Sequence, residues 1–416
     1  MTQAISIPRP VTTGDAHGLS TARLIVVLVV MSATNMLNAM DRQIFPILLP
    51  KIQAHFQFPI ESAGLLATIF TLGIGLVAIP AGLLADRFNR KVVLVVSVGI
   101  FSLATALQAV AFQFADMFVY RVLTGIGEGI QNAVLFAVAG AYFSNRRTMA
   151  LGMLTAAYGL GAALSPIFGA AILSATGHWQ APLIVLGLFG AVIMLLWSFV
   201  PRSVTEVVAS SKGAAAQSQT ALGQKSAASR NVVALCIIAA ASGAMIYAYL
   251  GLYPTYLVKV RGFKIADAAL VMSTFGVGGL MAIPLGALAD RWNQKLLNLL
   301  ALLGFAIVGI SIFTVPSNAL AIQIVLSFLM GMLFTGIVYP NSMSLLQKNM
   351  PPERSGYATG LFVAMLYIPS SISGYVLGSL VTHFGWQTGA VSMIGVLSVV
   401  SLVTMIAYRP SEQPFS

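Results

Sequence analysis

Four ionisable residues lie within long apolar segments of this sequence: Asp41, Arg42, Arg121 and Glu128. A charged side chain near the middle of a bilayer costs at least ~2.5–3.5 kcal/mol, so each must pair or contact water. Burial favours the neutral form of an acid and a nearby arginine favours its charged form, so an acid under both influences is suited to exchange a proton. The pattern therefore predicts Asp41 and Glu128 as proton-carrying sites.

The same four charges also allow a purely structural interpretation. Two acids and two bases balance to zero net charge, so they can form a static ion-pair cluster that joins two helices. Arg121 suits this interpretation best, because it begins its apolar segment and can face the membrane interface. A structural contact between membrane helices is more cheaply made by small or apolar residues, which favours the functional interpretation.

Aromatic and amide side chains are further candidates for contact with a small molecule. Tyr249, Tyr253 and Tyr256 recur at helical spacing beside Pro254, forming a stripe on one helix face that a proline can bend. Such a stripe near a helix end is also typical of an interfacial aromatic belt, and an Asn can equally be an interhelical contact. We predict a substrate-binding site formed by Arg42, Arg121, Asn38, Asn132, Tyr158, Tyr249, Tyr253, Asn341 and Tyr367.

The composition indicates which elements position these residues. Of 416 residues, 58% are hydrophobic and only 8% are charged, whereas a soluble domain carries about 25% charged residues. A surface with so few charges must be solvated largely by a bilayer. A net charge of +11 in a soluble protein would suggest nucleic acid, but here the basic residues fall in short loops between apolar runs.

Twelve membrane-spanning helices are predicted from the apolar segments, because a spanning helix needs about 20 residues. Segments free of Asp, Glu, Lys and Arg have the length of one helix at 62–85, 92–115, 231–258 and 268–289. Longer segments with room for two helices lie at 148–201, 296–347 and 355–408. The other two helices, near 24–46 and 117–140, contain the four charges. The predicted fold is an all-α membrane protein with twelve transmembrane helices in two pseudo-symmetric six-helix bundles.

The segment at 202–231 is rich in Ala, Ser and Gln and poor in large apolar residues, which is typical of a flexible linker. It separates two predicted bundles, at 23–201 and at 232–408. Tails of the chain lie at 1–22 and 409–416. The first apolar segment has full spanning length and no cleavage site precedes it, so we expect no removable signal peptide.

The placement of positive charge predicts the orientation. With both termini in the cytoplasm, sixteen Lys and Arg residues fall in cytoplasmic segments, and four fall on the opposite side: Lys51, Lys259, Arg261 and Lys264. Positive charge concentrates in the cytoplasmic loops of membrane proteins, and the sequence lacks an Asn-x-Ser/Thr sequon. We therefore predict a multi-pass protein of the bacterial inner (plasma) membrane, with both termini and the linker in the cytoplasm.

Two stretches of the sequence recur. GLLADRFNRK at 82–91 returns as GALADRWNQK at 286–295, and a weaker pair links Arg146…Gly152 with Arg354…Gly360. Two echoes at nearly one period indicate duplication. A Gly near the helix end permits close helix approach, and an Asp beside Arg and Lys gives a charge cluster that can form in one state and break in another. We predict gating residues at Gly82, Asp86, Arg87, Arg90, Asp290 and Arg291.

The repeated loop resembles the signature loop of the major facilitator superfamily. Asn89 stands where that family usually has Gly, and Asn tolerates the left-handed turn that Gly favours. The resemblance extends over essentially the whole chain. It implies the family fold, a central cavity between the halves, and alternating access by a rocking motion.

Within that family, Asn38-Ala-Met-Asp41-Arg42 is similar to the N-x-x-D-R element in the first helix of anion:cation symporters. The segment 121–129 resembles their fourth-helix element, and the lysolipid-carrying Spinster group shares a similar pattern. The resemblance implies Asp41 and Glu128 as proton sites and Arg42 as the residue that couples them to an organic anion. Some relatives have another cationic residue in the seventh helix, and its absence between 231 and 258 favours a monocarboxylate.

A proton-coupled importer, or symporter, of a small organic anion is thus the first interpretation. Proton-coupled export of drugs or lysolipids is the alternative, because 161–169 partly resembles an element of family antiporters. An enzyme or a channel is not expected, since no nucleophile–base pair, nucleotide-binding loop or filter occurs. Cys236 is the single cysteine and the four His are not spaced for metal. We expect no cofactor, a proton as coupling ion, no nucleic acid, and a monomer in the lipid bilayer.

Overall fold

The computed structural model describes residues 21–143, 146–206, 230–289, 292–316, 318–351 and 354–409, which are helical with short connections. The helices of the first half are α1 (Thr21–Phe56), α2 (Ile60–Thr68), α3 (Phe70–Val77), α4 (Pro80–Arg87), α5 (Arg90–Gln108), α6 (Phe114–Tyr142), α7 (Arg147–Thr176), α8 (Gln180–Phe199) and α9 (Arg202–Glu206). Those of the second half are α10 (Arg230–Lys259), α11 (Ile265–Leu280), α12 (Ala282–Ala289), α13 (Gln294–Thr314), α14 (Leu320–Leu333), α15 (Tyr339–Lys348), α16 (Ser355–Ser370) and α17 (Ser373–Ala407). A π-helix at Phe334–Val338 joins α14 to α15.

Ten helical runs in the described part of the chain are long and apolar enough to cross a bilayer. One of them, Ser355–Ala407, has 53 residues and contains Gly385 with non-helical angles of φ 77° and ψ 167°. The shorter apolar helix Ile265–Leu280 is followed at once by α12. Large apolar side chains such as Leu103 and Val396 are exposed, which suits contact with lipid. The chain is therefore a multi-pass membrane protein.

The repeated loop has the same local structure in both copies. Asn89 has φ −60° and ψ 119°, and its side-chain oxygen accepts hydrogen bonds from the backbone amides of Lys91 and Val92 at 3.0 and 3.3 Å. Asn293 in the second copy has φ −64° and accepts from the Leu296 amide at 3.1 Å. Asn89 does not use the left-handed conformation that it tolerates, because both asparagines cap the next helix and a capping residue has extended angles.

The lysine of each repeated loop contacts the last helix of its own half. Lys91 Nζ donates to the carbonyl oxygens of Ser198 and Val200, at 3.1 and 2.7 Å, where α8 ends. Lys295 Nζ donates to the Ile406 carbonyl at 3.0 Å, in the last turn of α17. A cation at a helix C-terminus satisfies carbonyl groups that have no helical partner. The two halves therefore share this contact as well as the sequence echo.

The predicted gating residues are only partly described. Among the described residues, no atom of another element lies within 4 Å of where a side chain at Gly82 would begin, so they show no close helix approach there. Arg87 is exposed and Arg90 is half-buried. Asp290 and Arg291, together with the side chain of Asp86, lie outside the described residues, and so do most of the linker and both tails.

The most extensive contacts between the two halves are those of α1 with α10, α2 with α17, α3 with α16, and α7 with α11. We call the side with Lys91 and Lys295 the basic side, and the side where α1 ends and α2 begins the far side. Near the far side, Gly64 and Gly374 bring α2 and α17 into backbone contact, and a Cβ on either would collide with the other's carbonyl group. Lys259 Nζ also donates to the side-chain oxygen of Gln53 there, at 2.7 Å. The far side is thus closed.

Breaks in two helical segments coincide at this contact. α2 ends at Thr68 and α16 ends at Ser370, each just before another helix begins. Pro369 lacks an N–H group and weakens the helix around the second break. The Thr68 hydroxyl donates to the Ser371 carbonyl at 2.8 Å and lies 3.3 Å from the Gly374 amide, which donates to it. One side chain of the first half therefore satisfies backbone groups of the second half.

Candidate functional site

The four predicted charges come together between α1 and α6. Asp41 and Arg42 lie on α1, Arg121 and Glu128 on α6, and their exposed fractions are 2%, 4%, 1% and 0%. Arg42 Nε lies 2.9 Å from Glu128 Oε2. Thr105 of α5 donates a hydrogen bond of 2.7 Å to Asp41 Oδ1. Apart from Arg42, the side chains of the cluster form hydrogen bonds with helices of the first half.

The carboxyl groups of Asp41 and Glu128 lie within hydrogen-bonding reach of each other. Asp41 Oδ2 and Glu128 Oε1 have no other hydrogen-bond partner among the described residues. Two ionised carboxylates in such contact repel each other in a low-dielectric site, and one proton between them turns the repulsion into a hydrogen bond. Because the groups interact this closely, they can take up and release a proton only as a pair.

Arg121 lies beside these carboxyl groups but away from the cavity. Its Nε and Nη2 donate to the carbonyl oxygens of Leu66 and Ala67, at 3.0 and 3.1 Å. These carbonyls belong to the last turn of α2 and lack helical partners. The guanidinium carbon is 4.3 Å from the ring centre of Phe45 and 4.5 Å from that of Phe70. The structure therefore favours a structural role for Arg121 over the predicted contact with a substrate.

Arg42 reaches from the charged cluster toward the second half. Its Nη1 donates to the Tyr367 hydroxyl at 3.1 Å, and the rings of Tyr158 and Tyr367 each lie 5.8 Å from its guanidinium carbon. Its Nη2 is buried and has no hydrogen-bond partner among the described residues. Beside it is a small cavity of about 10 Å³ in this conformation, which is room for about one water molecule. It is lined by Gln43, Pro46, Ala67, Phe70, Tyr247, Leu250 and Gly251. A buried guanidinium with an unused donor at a cavity wall is suited to bind an oxyanion.

Asn38 supports the carboxyl pair from the same helix face. Its amide donates to the backbone carbonyl of Glu128 at 3.2 Å and to the side-chain oxygen of Gln131 at 2.6 Å. Asn35, one turn earlier, donates to a backbone carbonyl of α7 at 2.9 Å. Asn132 is half-buried on α6. The hydrogen bonds of Asn35 and Asn38 fix the position of α1 along its axis relative to α6 and α7, which keeps the two carboxyl groups side by side.

Tyr249 and Tyr253 face the interior of the second half. The Tyr253 hydroxyl donates to the Gln323 side chain at 2.5 Å, and the Tyr249 hydroxyl shares a 2.8 Å hydrogen bond with Ser327, both on α14. Asn341 donates to a backbone carbonyl at the start of α13, at 2.8 Å. These contacts bind helices of one half to each other, so the structure does not support the predicted substrate contacts of these three residues. Tyr158 and Tyr367 are the predicted aromatic residues that it brings to Arg42.

Several residues at the site were not singled out from the sequence, among them Thr105, Gln131 and Tyr247. Tyr247 lies 5.8 Å from Phe70 and 5.5 Å from Tyr367, measured between ring centres. The sequence does contain a signal for Tyr247. It is the tyrosine of α10 that does not follow the helical spacing of the predicted stripe, so it lies on a different face of the helix. Thr105 and Gln131 had no such signal, since single hydroxyl and amide groups are common in membrane helices.

Metal ligation finds no support in the described residues, which contain no group of three or more His, Cys, Asp or Glu placed to hold an ion. Cys236 is a free thiol, half-buried on α10. His178 and His383 are exposed, and each contacts a backbone carbonyl of its own segment, at 2.6 and 2.8 Å.

Two repeated helical halves, with a buried charged cluster beside a cavity between them, define a membrane transporter and not an enzyme. Residues 31–374 match the Major Facilitator Superfamily, and the chain belongs to that family.

Relatives of this chain carry organic anions or lipids. It is 23% identical to the hexuronate transporter of Bacillus subtilis (strain 168), over 92% of this chain and 94% of that protein. It is 26% identical to the 3-(3-hydroxy-phenyl)propionate transporter of Escherichia coli (strain K12), over 93% and 94%. It is 34% identical to a sphingosine-1-phosphate transporter of Danio rerio, but only over 42% of this chain and 36% of that protein.

A solved structure has the same fold. The chain is similar to a bacterial homologue of the human lysosomal transporter Spinster, in an inward-facing and unoccupied conformation, with a TM-score of 0.77. The similarity covers 95% of this chain and all of that one, at 16% sequence identity. At this identity the match concerns the fold, which is that of the family.

Proposed function

We propose that this protein is a proton-coupled symporter of a small organic anion, a monocarboxylate, that works by alternating access. The observation that carries the proposal is the position of Arg42. Its guanidinium pairs with one of two adjacent carboxyl groups and keeps a buried, unused donor at a cavity between the halves. An anion site and a proton site thus share one arginine.

This shared arginine supplies a coupling mechanism. When Asp41 and Glu128 are both ionised, Arg42 and Arg121 balance their charge and Glu128 holds Arg42. A proton on the carboxyl pair removes one negative charge and weakens that hold, so Arg42 attracts an anion more strongly. Proton and anion therefore bind with positive coupling, and each raises the affinity for the other by the same factor. No cofactor is needed, because the proton gradient drives transport.

For the fold, we propose twelve crossings in two six-helix bundles that rock against each other. Two features support the count of twelve. Gly385 divides Ser355–Ala407 into two pieces, and α11 and α12 together provide one further crossing. The six predicted gating residues at 82–91 and 286–295 remain a prediction for the basic side, and so does the monomeric state.

We also propose that the basic side faces the cytoplasm of a bacterial cell, because positive loops are retained there. Labelling of single cysteines in intact cells tests the orientation. Lys264→Cys should react with an impermeant maleimide, and Lys212→Cys should react only after the cells are opened. The reverse pattern would overturn the proposed topology.

Export of a lysolipid is the second candidate, favoured by the likeness to the sphingosine-1-phosphate transporter. Proteoliposomes of the purified full chain distinguish the two. With the outside more acidic, a symporter accumulates an anion such as labelled 3-phenylpropanoate or glucuronate inside, and collapsing the gradient abolishes the accumulation. Accumulation only with the opposite gradient, or only of oleoyl lysophosphatidic acid, would favour export and contradict the proposal.

A further inference from the structure

Aromatic rings from both halves lie around Arg42 and the cavity beside it: Tyr158 and Tyr367 lie near the guanidinium, and Phe70 and Tyr247 line the cavity. Tyr158 belongs to α7 and Phe70 to α3, while Tyr247 and Tyr367 belong to α10 and α16. The Phe70 and Tyr247 rings pack edge to face at 5.8 Å, and the Tyr247 and Tyr367 rings lie 5.5 Å apart and tilted. These are the separations at which aromatic rings attract each other beyond simple apolar contact.

Two tyrosine hydroxyl groups beside the cavity face polar partners. Tyr367 accepts from Arg42 at 3.1 Å, and the Tyr247 hydroxyl lies within hydrogen-bonding reach of the Tyr367 hydroxyl. The ring faces and edges therefore remain as the surface that the tyrosines offer to a bound molecule. The rest of the cavity wall is apolar except for Gln43 and Arg42 itself.

The charge at this site limits the substrate to one anionic group. Among the buried residues that the structure describes, the second half contributes no charged side chain. In the first half, Nε and Nη2 of Arg121 are bound to two backbone carbonyls, whereas Nη2 of Arg42 has no hydrogen-bond partner among the described residues. A second carboxylate would be buried against rings without a partner, at a cost of several kcal/mol.

The scarcity of free polar groups also disfavours a substrate with many hydroxyls. Each hydroxyl that loses water without finding a partner costs about 1–3 kcal/mol, and besides Arg42 the polar side chains of the cavity wall are those of Gln43 and Tyr247. A planar ring fits the wall better, because it replaces ring–ring contacts with contacts of the same kind.

We propose that the transported anion is an aromatic monocarboxylate, with its carboxylate on Arg42 and its ring against Phe70, Tyr247 and Tyr367. This inference rests on the proposed function and adds the chemical class of the substrate.

Titration calorimetry of the detergent-purified full chain at mildly acidic pH tests the proposal with matched probes. 3-Phenylpropanoate and 3-cyclohexylpropanoate have the same charge and length, but only the first has an aromatic face. We expect 3-phenylpropanoate to bind about 2- to 10-fold more tightly, the equivalent of the ~0.5–1.5 kcal/mol of a ring–ring contact. Phenylsuccinate, with its second carboxylate, should bind at least about 10-fold more weakly than 3-phenylpropanoate.

Two variants locate the preference. Tyr247→Leu should reduce the ratio between the phenyl and cyclohexyl probes toward one, while Tyr375→Leu, the same change at an exposed position on α17, should keep the wild-type ratio. If Tyr247→Leu does not fold, the two probes on the unmodified protein still decide. Equal affinities, or tighter binding of glucuronate or oleoyl lysophosphatidic acid than of 3-phenylpropanoate, would overturn the proposal.

The outcomes also separate this inference from the proposed function. Anions that accumulate with the proton gradient but show no aromatic preference would refute the substrate class and leave symport in place. An aromatic preference in binding without gradient-driven uptake would refute symport and leave the substrate class in place. No binding of any anion would refute both.

Discussion

The interiors of the two halves differ although their ends are alike. The interior of the first half holds the four charges, with an ion pair between Arg42 and Glu128. In the second half, the described interior is held by neutral hydrogen bonds, such as those of Tyr253 with Gln323 and of Asn298 with the Ser342 hydroxyl. At the basic side, by contrast, both copies of the repeated loop cap the next helix in the same way.

This difference indicates how the duplicated unit diverged. Contacts that fix the helix ends are needed twice, because each half must be rigid to move as one body. Under the proposed mechanism, titratable groups are needed once, because a single site that exchanges a proton is enough to couple a gradient to transport. Buried charge is costly in a membrane, so a half without that task gains stability from neutral partners.

Neutralising Glu128 should have the largest effect, and it tests whether the charged interior of the first half exchanges a proton. Glu128→Gln mimics the protonated acid and removes one titrating group, so gradient-driven accumulation should be lost completely. Counterflow exchange needs no net proton movement and should survive. Glu61→Gln, the same change at the start of α2, should accumulate substrate like the unmodified protein. Wild-type accumulation by Glu128→Gln that still follows the pH gradient would make Glu128 a structural ion-pair partner.

The second prediction separates the two arginines of the first half. Arg121→Gln removes the partner of two carbonyls and two carboxyl groups, and should lower the free energy of unfolding by about 3–5 kcal/mol. Arg42→Gln should instead weaken anion binding by at least about 30-fold, as for loss of one member of a buried charge pair. Thermal unfolding and calorimetry on both variants measure the two effects. If Arg42→Gln instead lost stability and Arg121→Gln lost anion binding, the two arginines would have the reverse of the predicted roles.

A matched pair of tyrosines tests the neutral half at smaller scale. Tyr253→Phe removes the hydroxyl bound to Gln323 and should cost about 1 kcal/mol of stability, with the KM for transport unchanged. Tyr367→Phe removes the acceptor of the Arg42 hydrogen bond, and should change the KM several-fold. Transport assays and unfolding curves give both quantities. If Tyr253→Phe changed the KM and Tyr367→Phe did not, the predicted tyrosine stripe would belong to the binding site.

The smallest expected change in stability concerns the lysine contact at a helix end that occurs in both halves. Lys91→Met and Lys295→Met each remove a cation from a helix C-terminus, and each should cost about 0.3–1 kcal/mol of stability. The two losses should agree within error in the same unfolding assay. A clear inequality would mean that the two copies of the loop no longer have the same structural role.

Sequence patterns identified the spans and the charged cluster because both are local signals. A run without charges must cross the bilayer, and a charge within it must find a partner, so Asp41, Arg42 and Glu128 stood out before any helix was placed. The partner of Arg121 could not be predicted in this way. It consists of backbone carbonyls that are free only because α2 ends at Thr68, and this break is set by packing between the halves.

The tyrosines of α10 show the same limit. Helical spacing correctly grouped Tyr249 and Tyr253 on one face, but spacing alone does not say which neighbour that face meets. The face turned out to contact α14, and the isolated Tyr247 turned toward Arg42 instead. The orientation of a helix about its own axis depends on all its neighbours, and a single sequence does not contain that information in readable form.

The hydroxyl of Thr68 has a kinetic consequence. In the proposed rocking motion, opening of the far side requires Thr68 to move away from the Ser371 carbonyl and the Gly374 amide that it now satisfies. Each group left dry and unpartnered costs about 1–3 kcal/mol, which raises the activation barrier of opening. The barrier falls if water enters the gap. It also falls if residues 371–372 become helical, so that these backbone groups form hydrogen bonds within a continuous helix. Under the proposed mechanism, the turnover rate therefore depends in part on how quickly the backbone groups at the break between α16 and α17 regain hydrogen-bond partners.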